Sequence, residues 1–332
     1  MEKHIKELFT DKILEKCALA FGLKLDEVTY IGGFENFVYG FKRNEKEYIL
    51  RIGHSDHREY DMITAELDWV NFLAENKADV STPIKSIKGK LVEIVKVGDG
   101  SYFTVTTYEK AKGGRPTKEN IGDDFCFEYG RAIGKLHNLT KKYKVTEGIP
   151  KRYEWHEDIL FQDGTSFLPK EDKYIWEKYN ELIKYLKALP IDVDSYGLIH
   201  TDIHFGNFFV NHNKITIFDF DDCSYKWFIS DIAIAIFYLT AFGMDSDKRN
   251  SFVKEFLSSF MKGYNVENKL DKFWLKELKN FIKLREFTIY IVIHRSFDAN
   301  NLPEWASQYK SDFKRRLEKN IPLIDLDFLE IK

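Results

Sequence analysis

Two neighbouring stretches of the sequence carry carboxylate and amide side chains at a spacing suited to phosphoryl transfer. His200, Asp202 and Asn207 form an H-x-D-x-x-x-x-N pattern, and Asp219 and Asp221 follow as Asp-Phe-Asp. Phosphoryl transfer needs a carboxylate that orients or deprotonates the accepting hydroxyl, and oxygen ligands that hold magnesium. We therefore predict that Asp202 is the catalytic residue and that Asn207 and Asp219 are ligands of Mg²⁺.

The segment between these two stretches predicts a β-hairpin. Residues 208–210 and 215–218 have the apolar and β-branched composition of strands, and the polar residues 211–214 between them suit a turn. A hairpin here returns Asp219 to the Asn207 end of the loop. Both side chains can then reach the same metal ion.

The first third of the chain predicts an antiparallel sheet with one inserted helix. Helical periodicity over residues 4–21 precedes three short strand-like runs, and a further helix is expected over about 58–75. The predicted strands are residues 28–31, 37–41, 48–52, 84–87, 91–97 and 102–108.

Helices dominate the remainder of the chain. The glycines and the proline in residues 109–116 predict an irregular connection. We take it as the boundary between an N-terminal lobe (1–108) and a C-terminal lobe (109–332). The predicted helices are roughly 121–143, 171–188, 231–243, 248–263, 271–294 and 303–319, and residues 145–170 read as irregular. The predicted fold class is α+β with two lobes.

The composition indicates which binding partners and which cellular compartment to expect. The 332 residues are enough for two lobes, and a net charge of −3 gives no basic field, so no nucleic acid partner is expected. Cys17, Cys126 and Cys223 lie far apart, which argues against a zinc site or a disulfide framework and fits a reducing compartment. The most apolar run, 232–244, is shorter than the about 20 residues that span a bilayer, and the N-terminus shows no signal peptide. We predict a soluble cytoplasmic protein without a membrane partner; the sequence leaves its oligomeric state open.

These motifs resemble the aminoglycoside phosphotransferase/choline kinase superfamily, within its branch of bacterial homoserine-kinase-like and stress-response-kinase-like proteins. The resemblance covers roughly residues 25–245 and is carried by the run from Gly197 to Asn207, the hairpin and the Asp-Phe-Asp sequence. Family members read like G-L-I-H-G-D-L-H-x-G-N, whereas this chain has Thr201 at the second glycine. A β-branched residue restricts the backbone at that point of the loop.

The resemblance implies a bilobal protein-kinase-like fold that binds ATP, with GTP not excluded, together with Mg²⁺. The turn containing Gly32, Gly33 and Asn36 would cover the phosphates, because glycines let backbone amides approach phosphate closely. The backbone of Glu109 and Ala111 would meet the edge of the adenine ring.

Arg51 and Glu66 are expected to act together. Arg51 would contact the α- and β-phosphates, and Glu66 would fix its orientation across the sheet. Many members of the family use Lys at this position and choline-kinase-like members use Arg, whose fork of donors suits phosphate. A solvated surface pair is the alternative interpretation of these two charges.

Several polar residues near the loop are interpreted as structural. His200 is expected to bond to the backbone near Asp219, and His137 and His204 are expected to be packed side chains. By the same resemblance, Asp231 would accept hydrogen bonds from backbone N–H groups of the catalytic loop.

The acceptor is predicted to be a small molecule that carries a hydroxyl. Asp219 is followed almost at once by Ser230 and Asp231, which leaves no room for the long activation segment on which protein kinases bind peptides. Candidate residues for the acceptor pocket are Arg152, Trp155, Asp221, Asp222, Tyr225 and Trp227, with His294, Arg295 and Trp305. Aromatic rings with carboxylates would suit an amine, whereas the arginines would suit a carboxylate, and the sequence leaves both open.

Three functions are compatible with the sequence. The first is an ATP·Mg²⁺-dependent kinase that acts on an aminoglycoside, an amino alcohol or a homoserine-like metabolite. The second is a Ser/Thr protein kinase of the stress-response type, and the third is a nucleotide-binding pseudokinase. Asp202, Asn207 and Asp219 are all present, which favours an active enzyme over the third.

Overall fold

The computed structural model describes residues 3–117, 121–242 and 244–330, apart from the side chain of Thr165. The predicted segments 1–108 and 109–332 also include residues 1–2, 118–120, 243 and 331–332, which lie outside the described part.

Six strands of the N-terminal part form one antiparallel sheet. These strands are β1 (Thr29–Gly32), β2 (Phe37–Arg43), β3 (Lys46–His54), β4 (Pro83–Ile84), β5 (Glu93–Lys96) and β6 (Tyr102–Glu109), and helix α3 (Tyr60–Glu75) is inserted between β3 and β4. The spatial order is β1-β2-β3-β6-β4, and β5 also pairs with β6. The predicted sheet with one inserted helix is therefore confirmed.

The alternation of side chains along β3 divides the sheet into two faces. Leu50 and Ile52 point to one face and pack with Phe103 and Val105 against the N-terminal helices. Arg51 lies between them in sequence and so points to the opposite face, where it lines a cavity.

The predicted helix over residues 4–21 is wrong in one respect, because two helices occupy this segment. They are α1 (Lys3–Leu8) and α2 (Asp11–Ala20), and Thr10 between them has extended backbone angles of −101° and 165°. The break lets Phe9 stack on Phe37, with 3.8 Å between ring centroids, and contact Phe103 at 5.3 Å. Burial of an aromatic ring here outweighs the helical periodicity.

The C-terminal part is mainly helical. Its helices are α4 (Asp123–Thr140), α5 (Ile159–Gln162), α6 (Lys173–Lys187), α7 (Ile229–Thr240), α8 (Ser246–Glu267), α9 (Lys272–Ser296) and α10 (Glu304–Glu318). Short 3₁₀ turns at Trp155–Glu157, Gly164–Phe167 and Lys170–Asp172 surround α5 in the segment predicted to be irregular. Helices α4 and α8 approach so closely that a Cβ atom on Gly130 would lie 1.9 Å from the carbonyl oxygen of Phe260.

Two pairs of short strands hold residues 200–221, the segment with the predicted catalytic residue and metal ligands. Strands β8 (Phe208–Asn211) and β9 (Lys214–Ile217) form the predicted hairpin. Strands β7 (Tyr196–Ile199) and β10 (Ser224–Trp227) form a second antiparallel pair that the sequence patterns did not indicate. This second pair joins the residues just before the catalytic loop to those just after the Asp-Phe-Asp sequence, so both ends of the motif are fixed.

The structure thus has the predicted α+β class, with an antiparallel sheet in its N-terminal part and helices in its C-terminal part. Across the described ranges 3–117, 121–242 and 244–330, none of the helices has both the length and the apolar character needed to cross a bilayer.

Candidate active site

A cavity of about 970 Å³ lies between the sheet and the C-terminal helices. Its wall brings together most of the residues that the sequence singled out, namely Gly32, Gly33, Asn36, Arg51, Ala111, Trp155, Asp202, Asn207, Asp219, Asp221 and Asp222. The other predicted site residues, Glu66, Glu109, Arg152, Tyr225 and Trp227, are not part of the wall.

The catalytic loop is held by one fully buried carboxylate. Asp231, in the first turn of α7, accepts hydrogen bonds from the backbone N–H of Thr201 at 2.8 Å and of His200 at 3.2 Å. His137 Nε2 lies 3.2 Å from the same carboxylate, and its Nδ1 lies 2.9 Å from the hydroxyl of Tyr264. The predicted structural roles of Asp231 and His137 are confirmed.

Thr201 adopts the backbone conformation that glycine would favour at this position. Its φ is 64°, which costs a non-glycine residue about 1–3 kcal/mol. Its side-chain hydroxyl donates a hydrogen bond of 2.6 Å to the carbonyl oxygen of Asp222. The threonine therefore keeps the loop in the conformation expected of the family's glycine and ties it to the segment after Asp219.

We expect Thr201→Val to be less stable than the wild type by about 1 kcal/mol, because it keeps the strained backbone and loses the hydrogen bond to Asp222. Thr201→Gly removes the backbone strain together with the hydroxyl, so it should be more stable than Thr201→Val. Urea denaturation of the three proteins measures both differences. A valine variant as stable as the wild type would show that the hydroxyl does not support the loop.

The hairpin places the two predicted metal ligands side by side. The backbone N–H of Phe218 donates to the carbonyl of Asn207 at 2.9 Å. Asp219, the next residue in the chain, therefore lies close to Asn207. His200 Nε2 lies 3.1 Å from the carbonyl of Phe218, as predicted for a structural histidine. The side-chain amide nitrogen of Asn207 donates to the backbone oxygen of Asp202 at 2.9 Å and to its carboxylate at 3.0 Å, so its side-chain oxygen is the atom available to a metal.

The negative charges of Asp219 and Asp221 lie at this end of the cavity. Asp219 lines the cavity, and desolvation by the surrounding protein, together with the charge of Asp221, raises the pKa of Asp219 to about 7. Atom Oδ1 of Asp221 is buried without a hydrogen-bond partner. Within the part of the chain that the structure describes, no three His, Cys, Asp or Glu side chains are grouped to hold an ion by themselves. Phosphate oxygens and water would complete the coordination, as is usual for Mg²⁺.

Asp202 is fixed by a cation that the sequence analysis did not identify. Arg285 on α9 contacts its carboxylate through Nη2 and also donates a hydrogen bond of 2.6 Å to the hydroxyl of Tyr238. His204 Nε2 lies 3.3 Å from the other carboxylate oxygen. Desolvation disfavours the charge on Asp202, but Arg285 and His204 outweigh it and hold the pKa of this carboxyl well below its usual range. Asp202 is therefore suited to orient a hydroxyl more than to remove its proton.

The predicted pairing of Arg51 with Glu66 is confirmed. Both side chains are buried, and Nη2 of Arg51 lies 2.8 Å from Oε2 of Glu66. The hydroxyl of Tyr108 donates to the other oxygen of Glu66 at 3.4 Å. The alternative of a solvated surface pair is thereby excluded. Glu66 lies behind the cavity wall and orients Arg51, which faces the cavity.

The glycine turn reaches across the cavity to the end of α9. Gly33 has a φ of 137°, and a Cβ atom there would lie 1.8 Å from the carbonyl oxygen of Asn36, so the turn requires glycine. Glu35 in this turn accepts a hydrogen bond of 2.8 Å from Arg295. Arg295, one of the candidate acceptor residues, thus contacts the glycine turn.

Three predicted acceptor residues face away from the cavity. Arg152 is buried and donates to the backbone carbonyls of Cys223 at 2.6 Å, of Met62 at 2.9 Å and of Asp221. Trp227 is buried in the core with its indole N–H bonded to the carbonyl of Pro190 at 2.8 Å.

Tyr225 is half-buried and lies under the ammonium group of Lys151, 4.1 Å from its ring centroid. The interpretation of Arg152, Tyr225 and Trp227 as acceptor residues is therefore corrected. Arg152 binds backbone carbonyls, Tyr225 lies under a surface lysine, and Trp227 is part of the core.

Asp221 and Asp222, which were predicted to bind the acceptor, both line the cavity and lie beside basic residues of the N-terminal part. Asp221 contacts His57 at 2.7 Å and lies 3.8 Å from Arg51, and Asp222 pairs with Arg58 at 2.7 Å. Burial disfavours the charge on Asp221, but the hydrogen bond from His57 and the charge of Arg58 hold the pKa of its carboxyl well below its usual range.

Among the charged or titratable residues that line the cavity, the sequence did not single out His57, Arg58, Lys226 or Arg285. His57 and Arg58 precede the first turn of α3. Charged residues are common at such positions, so the residue types alone do not indicate a functional role. Arg285 lies in an otherwise mainly apolar stretch of α9, and this charge among buried neighbours is the signal that could have identified it.

Comparison with known proteins identifies the family to which the chain belongs. The chain matches the model of the phosphotransferase enzyme family over residues 27–268. Amicoumacin kinase of Bacillus subtilis (strain 168) is 35% identical over 330 residues, which are 99% of this chain and 98% of that protein.

Solved structures show the same likeness. An amicoumacin kinase in complex with AMP-PNP, Ca²⁺ and Ami has a TM-score of 0.94 at 33% identity, and the alignment covers 100% of both chains. A microcompartment-associated aminopropanol kinase has a TM-score of 0.73 at 20% identity, covers 94% of this chain and 99% of its own, and shares the fold. The resemblance to the aminoglycoside phosphotransferase/choline kinase superfamily is confirmed. The chain belongs to the phosphotransferase enzyme family, and it is a kinase.

Proposed function

We propose that this kinase transfers the γ-phosphate of ATP, with Mg²⁺, to a hydroxyl group of amicoumacin or of a closely similar small molecule. The observation that carries the proposal is the full-length match, at a TM-score of 0.94, to an amicoumacin kinase in complex with AMP-PNP, Ca²⁺ and Ami. The cavity supports it, because about 970 Å³ is at the upper end of the range for sites that enclose small ligands.

The residues of the chain divide between the two substrates. On the nucleotide side, Arg51 would bind the phosphates and Glu66 would orient it. The further nucleotide residues of this proposal are Gly32, Gly33 and Asn36 in the turn and the backbone of Glu109 and Ala111. In this proposal residues 1–108 and 109–332 are the two lobes that enclose the nucleotide.

Asn207 and Asp219 would hold the metal ion. When bound, the cation would offset the negative charge on the phosphates during transfer. The carboxylate of Asp202, fixed by Arg285 and His204, would accept a hydrogen bond from the acceptor hydroxyl and align its oxygen with the γ-phosphorus. Because the transition state of phosphoryl transfer is loose, alignment of this kind contributes more than early removal of the proton.

An ADP-release assay tests the proposal. The purified protein is incubated with ATP or GTP, Mg²⁺ or Ca²⁺, and one of amicoumacin, aminopropanol, spectinomycin, choline, ethanolamine or homoserine. We expect ADP release that depends on amicoumacin and a product heavier by one phosphoryl group in mass spectrometry. Turnover with another member of the panel but not with amicoumacin would contradict the acceptor. Labelled phosphate in protein alone would instead indicate a protein kinase.

A further inference from the structure

Lys226 is a buried cation that faces the cavity without a counter-ion. It lies on β10 with 7% of its surface exposed, and its side chain is part of the cavity wall. Its ammonium group lies 5.3 Å from the ring centroid of Phe161 and 5.9 Å from that of Trp155. Among residues 3–117, 121–242 and 244–330, no side chain forms a hydrogen bond or an ion pair with this ammonium. A lysine is rarely buried in this way unless something else supplies a partner.

The nearby carboxylates are already committed elsewhere. Asp158 accepts a hydrogen bond from the backbone N–H of Leu160 at 2.9 Å, as the N-cap of α5, and Asp231 binds the catalytic loop. Burial and the positive charge of Arg285 lower the pKa of Lys226 to about 7, which reflects the lack of a close anion. The Nζ atom of Lys226 is therefore a hydrogen-bond donor without an anionic partner at this wall of the cavity.

Arg285 supplies a second unused donor in the same region. Its Nη2 binds Asp202 and Tyr238, but its Nε is buried and has no hydrogen-bond partner. Arg285 also contacts the carboxylate that would align the acceptor hydroxyl, so its positive charge lies near the reacting end of the acceptor. Lys226 and Arg285 thus add positive charge to the wall of the space where the acceptor would bind.

We propose that Lys226, beside Arg285, binds a carbonyl or carboxylate oxygen of the acceptor molecule, so that this kinase selects acceptors that carry such an oxygen in addition to the hydroxyl. This proposal rests on the proposed function and specifies its acceptor. The ammonium group of Lys226 already lies 5.9 Å from the ring centroid of Trp155 and 5.3 Å from that of Phe161, so a cationic acceptor at these rings would meet its positive charge. Simple amines such as choline and ethanolamine would also meet the positive charges of Lys226 and Arg285.

The test uses Lys226→Met, which keeps the length of the apolar stem and removes the donor. We expect the Kd and KM for amicoumacin to rise roughly 10- to 100-fold, the range for losing a hydrogen bond from a charged donor. The KM for ATP should change less than twofold. The melting temperature without acceptor should stay the same or rise, because an unpaired buried charge is removed. Lys151→Met, which removes an exposed lysine that also lies over an aromatic ring outside the cavity, serves as the matched control.

A second variant and a set of related acceptors identify the oxygen. Lys226→Gln keeps an uncharged donor, so it should recover much of the affinity if the oxygen is a neutral carbonyl and little if it is a carboxylate. Homoserine, homoserine amide and 3-aminopropan-1-ol share an amino alcohol skeleton. Homoserine carries a carboxylate, its amide carries a neutral carbonyl, and 3-aminopropan-1-ol carries neither group. We expect wild-type kcat/KM to be lowest for 3-aminopropan-1-ol, and Lys226→Met to remove that preference.

Calorimetric titration of amicoumacin separates this proposal from the proposed function, because it needs no turnover. Weaker binding to Lys226→Met without turnover by the wild type would support the role of Lys226 and overturn the proposed reaction. Turnover by the wild type that Lys226→Met leaves unchanged would overturn the role of Lys226 and support the reaction. Absence of binding to the wild type would overturn both proposals. A lower melting temperature of Lys226→Met, together with an equal loss of ATP and acceptor binding, would overturn only the role of Lys226.

Discussion

Asp202→Asn is expected to reduce kcat roughly 10²- to 10⁴-fold, the range for losing a positioned acid–base group. Asparagine keeps the size of the side chain and can still pair with Asn207, but it loses the charge that Arg285 and His204 hold in place. The interaction acts mainly in the transition state, so kcat and kcat/KM should fall together. Nucleotide affinity, measured by titration of AMP-PNP with Mg²⁺, should stay within a few-fold.

Asp194→Asn is the matched control for this change, because its side chain is 79% exposed and pairs with Lys141 far from the cavity. It should leave kcat unaltered. If Asp202→Asn bound nucleotide normally and kept wild-type turnover, the positioning role would be refuted. If it lost nucleotide binding outright, Asp202 would belong with the metal ligands.

The parts of the site that are close in sequence were predictable. The catalytic loop, the hairpin and Asp219 lie within one short segment, so their spacing alone indicates which side chains meet. The pairing of Arg51 with Glu66 was also accessible, since a strand followed by a helix packed on the same sheet brings the two together. Local geometry determines these contacts, and residue spacing reports local geometry.

The contacts between distant segments were not predictable. Arg285 contacts Asp202 across 83 residues, and only the packing of α7 against α9 determines that it does so. Strands β7 and β10 have four residues each, too few for a period of two to be recognised, and their pairing depends on the loop between them. Lys226 could be read from the sequence only as one charge in a short strand.

Side-chain type also misled the prediction of the acceptor residues. Arg152 has the chemistry to bind a carboxylate, but it donates to the backbone carbonyls of Asp221 and Cys223 and to that of Met62 on α3. Buried backbone carbonyls need hydrogen-bond donors, and so does a bound carboxylate. The sequence alone does not show which of the two an arginine binds. We therefore expect the acceptor specificity of this kinase to depend on donors that the fold leaves without a partner, as we propose for Lys226.

Arg51→Met should affect both stability and nucleotide binding, and a double variant can separate the two effects. The single change leaves Glu66 buried and unpaired, so we expect a loss of about 3–5 kcal/mol in the free energy of unfolding. It also removes the phosphate-binding donor, so the KM for ATP should rise roughly 10- to 100-fold, while the KM for the acceptor changes little.

The double variant Arg51→Met with Glu66→Gln removes the uncompensated charge and should recover most of the lost stability. Its KM for ATP should stay as high as in the single variant, because nothing replaces the guanidinium that faces the cavity. Arg131→Met, which breaks the exposed pair with Glu128, controls for the change of residue type and should alter neither quantity. Recovery of the KM for ATP together with stability would mean that Arg51 only supports the fold. A persistent defect in ATP binding in a stable protein would establish its contact with the phosphates.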